Sequence, residues 1–334
     1  MEDVTVYQYD VVVIGGGTAG LSAAIKVKES GIDSILILER EDCLGGILNQ
    51  CIHNGFGSDL FKKEFTGPEY AEKFINKVEE LEIEYRLNTC VFEFNDDKIL
   101  TAVSKEGIIK IKAKAIVLAM GCREKPRGLI NIAGRKSAGI FTAGCVQKFV
   151  NLEGYMPGKD IVILGSGDVA LLMARRLKLE GANVKAIVEI LSYAEGKEEL
   201  VKECLEDFKI PFIFSHTVTY VKGNERITSI TIAEVDNNKN VIKGTEKEIE
   251  CDTAVLSVGL LPDNEIAKKA GIDISLSTKG ICVDENMETN IKGIFGCGNV
   301  VFNNNNVDDI TCEGLKTGEK VALYIKKQNE KPKG

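Results

Sequence analysis

Two strand–turn–helix–strand units in a chain of 334 residues predict an α/β protein made of two Rossmann-like, three-layer dinucleotide-binding domains. Their glycine turns, Gly15-x-Gly17 and Gly165-x-Gly167, start 150 residues apart. Composition agrees. Glycine is 33 of 334 residues, above the usual ~7 %, and proline only 6, as several tight strand-to-helix turns require.

The first unit opens with Asp10-Val-Val-Val-Ile14, the β-branched run of a parallel strand buried on both faces. Gly15-x-Gly17-x-x-Gly20 is the turn, Thr18 and Ala19 begin a helix over 18–30, and Gly31 stops it. A second apolar run ends at Glu39, 19 residues after Gly20. In this pattern Gly15 makes the turn, Gly17 opens the backbone to a pyrophosphate, and Gly20 lets helix pack on strand. The helix N-terminus then meets the phosphates and Glu39 accepts ribose hydroxyls.

A further buried strand, Lys114-Ala-Ile-Val-Leu-Ala119-Met-Gly121, follows. The second unit runs Asp160-Ile-Val-Ile-Leu, then Gly165-Ser-Gly167-Asp168-Val169-Ala170, a helix through Leu179 and a stop at Gly181. Glu189 ends its next strand, 19 residues after Ala170, which stands in the third glycine position as the fingerprint permits. A carboxylate there repels a 2′-phosphate, which predicts NADH over NADPH. Residues 207–250 read as an antiparallel meander. Asp252-Thr-Ala-Val-Leu-Ser-Val-Gly259 matches the strand ending at Gly121, and Gly293-Ile-Phe-Gly-Cys-Gly298-Asn299 is a third strand end. These placements predict one domain of 1–123 and 252–334 with a second, 124–251, inserted in it. Asn303 to Asn306 reads as a solvated turn, and the charged tail after Lys326 as frayed.

The net charge of −8 argues against nucleic acid or an anionic membrane as the main partner. No apolar stretch approaches the ~20 residues of a membrane span. The acidic start is unlike a secretory signal, so the cytoplasm is expected. Ten cysteines include no C-x-x-C pair, which removes the usual signature of zinc ribbons, iron–sulfur ligation and thioredoxin-like redox pairs. Most read as small buried hydrophobes, and no metal is expected. The two histidines are His53, inside a motif, and His216, a strand residue.

On these features the whole chain resembles the two-domain flavoprotein oxidoreductases that bind FAD and then NAD(P)H. Gly45-Gly46-Ile47-Leu and Ile52-His53-Asn54-Gly-Phe-Gly57 resemble the segment of low-molecular-weight thioredoxin reductases that passes beside the flavin. The resemblance implies FAD contacts from Gly15, Gly17, Thr18, Ala19, Gly20, Glu39 and Arg40. It adds Gly46, Ile47, Asn54, Ala119 and Gly121, then Gly298, Asn299 and Thr311, with a helix over about 309–319 aimed at the flavin. It implies NAD(H) contacts from Gly165, Gly167, Asp168, Val169, Ala170, Glu189 and Gly259.

Departures from thioredoxin reductase shape the expected activity. The nicotinamide domain has Thr142-Ala-Gly-Cys145, with one cysteine where that family has a C-x-x-C, and Asn299 stands where aspartate is usual. With Gly296-Cys-Gly298-Asn299, Asn151-Leu-Glu-Gly-Tyr-Met-Pro-Gly158 and Ile161-Val-Ile-Leu-Gly-Ser-Gly-Asp-Val169, the chain looks similar to the flavoprotein component found with anaerobic glycerol-3-phosphate dehydrogenases. More distantly it resembles subunits of opine oxidase, hydrogen cyanide synthase and dye-linked amino-acid dehydrogenases. The expectation is hydride transfer between NAD(H) and FAD, with electrons passed to a dehydrogenase or electron-acceptor subunit in a homo- or hetero-oligomer. Alternatives are a stand-alone NADH oxidase, a disulfide reductase using Cys43 and Cys51, and a non-catalytic nucleotide-bound scaffold or redox sensor. Cys51, His53 and Cys145 are the candidates for a catalytic role beside the flavin.

Overall fold

The computed structural model describes residues 6–130, 132–302 and 306–330. Strands and helices follow in chain order as β1 (Val6–Ile14), α1 (Thr18–Glu29), β2 (Ile35–Leu38), α2 (Gly67–Glu80), β3 (Glu84–Arg86), β4 (Cys90–Phe94), β5 (Ile99–Ser104) and β6 (Gly107–Leu118). The chain then divides into two compact units, one of residues 1–123 and 261–334 and the other of 124–260.

In the first unit the sheet order is β3-β2-β1-β6-β5-β4. β1 is parallel to β2 and β6, while β5 turns antiparallel on the outer edge of β6. The β-branched run of β1 explains its place. Val11 and Val13 point into one core with Leu21, Val27 and Val117, whereas Val12 and Ile14 point into another with Leu36, Ile116 and Leu118. A strand buried on both faces must lie in the middle of a parallel sheet.

The short β7 (Cys122–Glu124) leads out of this unit, and β8 (Ala133–Gly134), β9 (Ile140–Thr142), α3 (Ala143–Lys148), β10 (Asp160–Leu164), α4 (Asp168–Leu179) and β11 (Asn183–Val188) follow. Next come α5 (Glu198–Lys202), β12 (Phe212–Ile213), β13 (His216–Gly223), β14 (Ile227–Glu234), β15 (Lys247–Glu250) and β16 (Thr253–Leu256). The order β12-β11-β10-β16-β9 makes a parallel sheet whose central strand again buries both faces, Ile161 and Ile163 on one side, Val162 and Leu164 on the other. A second sheet, β15-β14-β13-β8, holds the antiparallel meander. Its first expected part does not belong there, because Phe212–Ile213 pairs in parallel with β11.

The expected return to the first domain at 252 moves to 261. β16 pairs with β10, Ile161 opposite Thr253, so that strand is an internal part of the inserted sheet.

β17 (Leu260–Pro262) and α6 (Glu265–Lys269) lead back, and β18 (Ile294–Gly296) adds to β6 in parallel, Gly296 opposite Leu118. The last helix, α7 (Val307–Asn329), packs along α1. That approach is close enough that a Cβ on Gly314 would lie 2.5 Å from the Ala19 carbonyl oxygen. α7 starts two residues before its expected beginning because the Asn306 side chain accepts the Asp308 amide at 2.9 Å, an N-cap. It also runs past Lys326 to Asn329, where a frayed tail was expected. Of the predicted solvated turn, Asn303 to Asn305 lie outside the described residues, and Asn306 is the helix cap.

Candidate functional site

Within each unit the parallel strands end on one level. Ile14 lies opposite Leu38 and Leu118, and Gly296 opposite Leu118. One step beyond that line are Gly15, Glu39, Ala119 and Cys297. In the other unit Leu164 lies opposite Val188 and Leu256, which puts Gly165, Glu189 and Ser257 on the corresponding line. Open α/β sheets bind ligands at the carboxyl ends of such strands, where the strand order switches direction.

The glycines there serve different needs. Gly15 (φ +109) and Gly165 (φ +100) have left-handed backbones, and a Cβ would lie 2.3 Å from the Ala119 oxygen or 2.1 Å from the Ser257 oxygen. A Cβ on Gly20 would lie 1.9 Å from the Gly15 oxygen, so helix–strand contact forbids it. Gly17 and Gly167 are unlike these. Their φ angles, −79° and −67°, suit any residue. A Cβ would meet only Gly46 Cα at 3.9 Å in the first case and nothing within 4 Å in the second. Both residues are helix N-caps without a side-chain cap. Glycine there leaves open space before helix amides, the shape that a pyrophosphate fits.

Each unit closes its site with the same device. Glu39, only 7 % exposed, accepts the Gly16 amide at 2.6 Å and the Glu41 amide at 2.9 Å. Glu189, 2 % exposed, accepts the Ser166 hydroxyl at 2.6 Å and the Leu191 amide at 2.9 Å. The following loop docks on the turn in both cases, through Gly45 N to Gly16 O (2.8 Å) and Gly196 N to Ser166 O (2.9 Å). The chain's own residues thus hold an acid at the edge of each glycine turn, the position at which the dinucleotide fingerprint has its acid. Sequence reading missed Ser166 and Gly196, although Ser166 occupies the repeat position of Gly16 and is a signal in retrospect. The buried Ser166 hydroxyl also accepts the Glu195 amide at 3.0 Å, so it ties the carboxylate to its loop.

The other expected contacts are placed as follows. Thr18 and Ala19 start α1. Gly46 lies against Gly17, whose Cα is 3.0 Å from a Cβ built on Gly46, and Ile47 is 65 % exposed beside it. Arg40 is engaged by Asp263 at 3.1 Å. Asn54 is exposed, and its carbonyl meets His53 Nδ1 at 2.9 Å. Gly121 (φ +72) follows β6, and Gly298 (φ +74) begins a short turn after β18. Asn299 Nδ2 faces Cys122 Sγ at 3.6 Å.

The Thr311 side chain is fully buried, with its hydroxyl bonded to the Val307 carbonyl and Tyr70. The same Tyr70 hydroxyl donates to Asp308, a buried carboxylate that also accepts the Asp59 and Leu60 amides. In the inserted unit Asp168 accepts the Lys197 amide at 2.8 Å, Val169 is 42 % exposed and Ala170 is buried. A Cβ on Gly259 (φ +106) would come 3.2 Å from Lys125 Nζ, a cation that sequence reading did not single out.

The candidate catalytic side chains have the following surroundings. Burial raises the Cys43 thiol pKa, helped by the Asp42 carboxylate. Burial and Glu124 do the same for Cys145. Both thiols therefore resist forming the nucleophilic thiolate. Cys51 donates to the Ile47 carbonyl at 3.4 Å. His53 rests 5.0 Å, centroid to centroid, from Phe56. His216 is the buried first residue of β13. Among the described residues no helix is long and apolar enough to cross a membrane, and no cluster of three or more His, Cys, Asp or Glu is arranged to hold a metal.

Comparison with known proteins gives the same architecture. The model of the family described as pyridine nucleotide-disulphide oxidoreductase matches residues 9–319. A thioredoxin reductase of Listeria innocua is 26 % identical over 330 residues, covering 96 % of this chain and 95 % of that one. The hydrogen cyanide synthase subunit HcnB of Pseudomonas protegens is 24 % identical over 294 residues, 80 % of this chain and 60 % of that one. The crystal structure of Lactococcus lactis thioredoxin reductase superposes with a TM-score of 0.78 at 23 % identity, covering 96 % of this chain and 99 % of that one.

Proposed function

The chain belongs to the pyridine nucleotide-disulphide oxidoreductase family, whose members are enzymes that use FAD and NAD(P)H, and from that we propose that it is an NADH-dependent flavoprotein whose electrons leave for a partner. FAD binds the first unit and NAD(H) the inserted one. When bound, these groups supply hydride transfer between nicotinamide and flavin. The protein's own residues bind and orient: Gly17 and Gly167 open the backbone to phosphates, and Glu39 and Glu189 hold riboses. The reading rests above all on the doubled acid-and-turn device, since two such sites serve two dinucleotides. The buried Glu189 favours a free 2′-hydroxyl and disfavours a 2′-phosphate.

The acceptor is a dehydrogenase or electron-carrier subunit, as in the flavoprotein components that accompany anaerobic glycerol-3-phosphate dehydrogenases, and the setting is the cytoplasm. The relative named as a subunit of hydrogen cyanide synthase supports a place in an assembly. Anaerobic titration tests the core of this. One equivalent of NADH is expected to bleach the bound flavin, with NADPH at least about tenfold less effective. Flavin that stays oxidised under excess NADH would leave the scaffold or sensor reading in its place.

A second reading, disulfide reduction, is favoured by the relatives named thioredoxin reductase. Against it stand the single cysteine in Thr142-Ala-Gly-Cys145 and the raised pKa values of Cys43 and Cys145. Cys43→Ser, Cys51→Ser and Cys145→Ser are each expected to keep NADH-to-dye turnover within about twofold, with no disulfide reduction by the parent protein. NADH-dependent reduction of a disulfide substrate that disappears in one of these variants would reverse the order of the two readings.

A further inference from the structure

The line of strand ends in the first unit fixes where the two halves of a dinucleotide must run. With a ribose at Glu39, beyond β2, and the pyrophosphate over Gly15 to Gly17, beyond β1, the second half passes over the ends of β6 and β18. That path crosses Ala119 and the turn Cys297-Gly298-Asn299. The turn is pressed against the start of α1: a Cβ on Gly298 would lie 2.8 Å from the Ala19 Cβ.

Glu313 reaches the same turn from the second turn of α7. Its Oε2 accepts the Gly298 amide at 3.2 Å. The side chain is half-buried, yet it lies off the stripe by which α7 packs, which runs through Thr311, Gly314, Thr317 and Gly318. Packing therefore gives no reason for a carboxylate at this position. A carboxylate has roughly four acceptor sites, and the Gly298 amide is the one hydrogen-bond donor it has among the described residues. No Lys or Arg is within ion-pair distance of it among them, and burial raises its pKa although Gly298 and Lys316 act the other way. Its other oxygen is not among the buried unpartnered atoms, so it is open at the crevice, where a ligand hydroxyl can reach it in place of water. The neighbouring Asn299 side chain is uncharged and turned towards Cys122.

We propose that Glu313 is a flavin-nucleotide ligand whose carboxylate accepts a hydroxyl of the polyol chain joining the pyrophosphate to the flavin ring. The assignment rests on FAD occupying the first unit. It makes a helix residue, and not the residue at 299, the source of negative charge at this point of the crevice. Glu313 thereby links the last helix directly to cofactor retention.

The experiment compares FAD with ADP, which has the adenosine half and no polyol, on flavin-stripped protein. Glu313→Gln keeps an acceptor for the Gly298 amide, Glu313→Ala removes it, and Glu313→Ala with Asn299→Asp returns a carboxylate from the adjacent turn. Equilibrium titration is expected to show FAD bound about tenfold or more weakly by both single variants, ADP affinity unchanged, and most of the FAD affinity regained in the double variant. Unchanged FAD affinity in the single variants overturns the assignment. So does a parallel loss of ADP and FAD, which would mark a damaged crevice, and so does a double variant no better than Glu313→Ala. Parent protein that binds ADP but not FAD removes the flavin reading itself and this assignment with it.

Discussion

Gly17→Ala is expected to give a folded, colourless protein. The methyl group meets no protein atom closer than 3.9 Å and the backbone is already in a conformation open to alanine. The space it fills is the approach of a phosphate to the amides at the start of α1. Charge-assisted hydrogen bonds of this kind are worth about 1.5–3 kcal/mol each, so losing two of them weakens FAD by about a hundredfold or more. Flavin content on purification and FAD titration of the stripped protein measure this. The flavin-free melting temperature should stay within a few degrees of the parent's.

Gly20→Ala should do the reverse. Its Cβ collides with the Gly15 carbonyl oxygen at 1.9 Å, and overpacking of this sort costs about 1–3 kcal/mol, seen as a lower melting temperature of the flavin-free form. Gly167→Ala extends the contrast to the inserted unit: a yellow protein that no longer bleaches with NADH. A Gly17→Ala protein that purifies fully flavinated would contradict the assignment of that turn to the pyrophosphate.

The second large effect concerns the choice of nucleotide. Ser166→Ala removes the hydroxyl that Glu189 accepts at 2.6 Å and that anchors Glu195. Glu189→Gln keeps the shape and removes the charge. In both, the preference for NADH over NADPH, measured as the ratio of kcat/KM values, is expected to fall about tenfold or more. The change should appear mainly in KM, because these residues touch the ribose end and not the reacting atoms. A ratio unmoved in Glu189→Gln would mean that another group reads the 2′ position.

Much of this was legible in the sequence because it is local. The helix stops at Gly31 and Gly181, the 19-residue step from turn to acid, and the 150-residue offset all follow from short-range rules of turn, cap and strand. What escaped was set by contacts between distant residues. β16 joins the inserted sheet because Thr253 lies opposite Ile161, which moves the boundary nine residues past the expected 252. Arg40 meets Asp263, 223 positions away, and no local pattern announces it. The Thr311 hydroxyl is bonded to Tyr70, itself fully buried and 241 positions away, another pairing no local pattern announces. The early start of α7 was readable in principle, since Asn306 before Asp308 is a capping signal, but it sits in a run of asparagines that reads first as a loop.

The paired acids carry a consequence for how the two halves can change over generations. Glu39 is held by the Gly16 main-chain N–H, which no substitution except proline deletes. Glu189 is held by the Ser166 side chain, which a single base change can remove. A side chain at 16 would itself crowd Leu44 Cδ2 at 2.6 Å and Glu39 Oε2 at 3.1 Å, so the first contact tolerates no change at either position, whereas the second can lose its hydroxyl without a clash and is open to drift. Descendants of this chain that have exchanged one reductant for another should bear the mark at 166 and 189, with 16 and 39 left as they were.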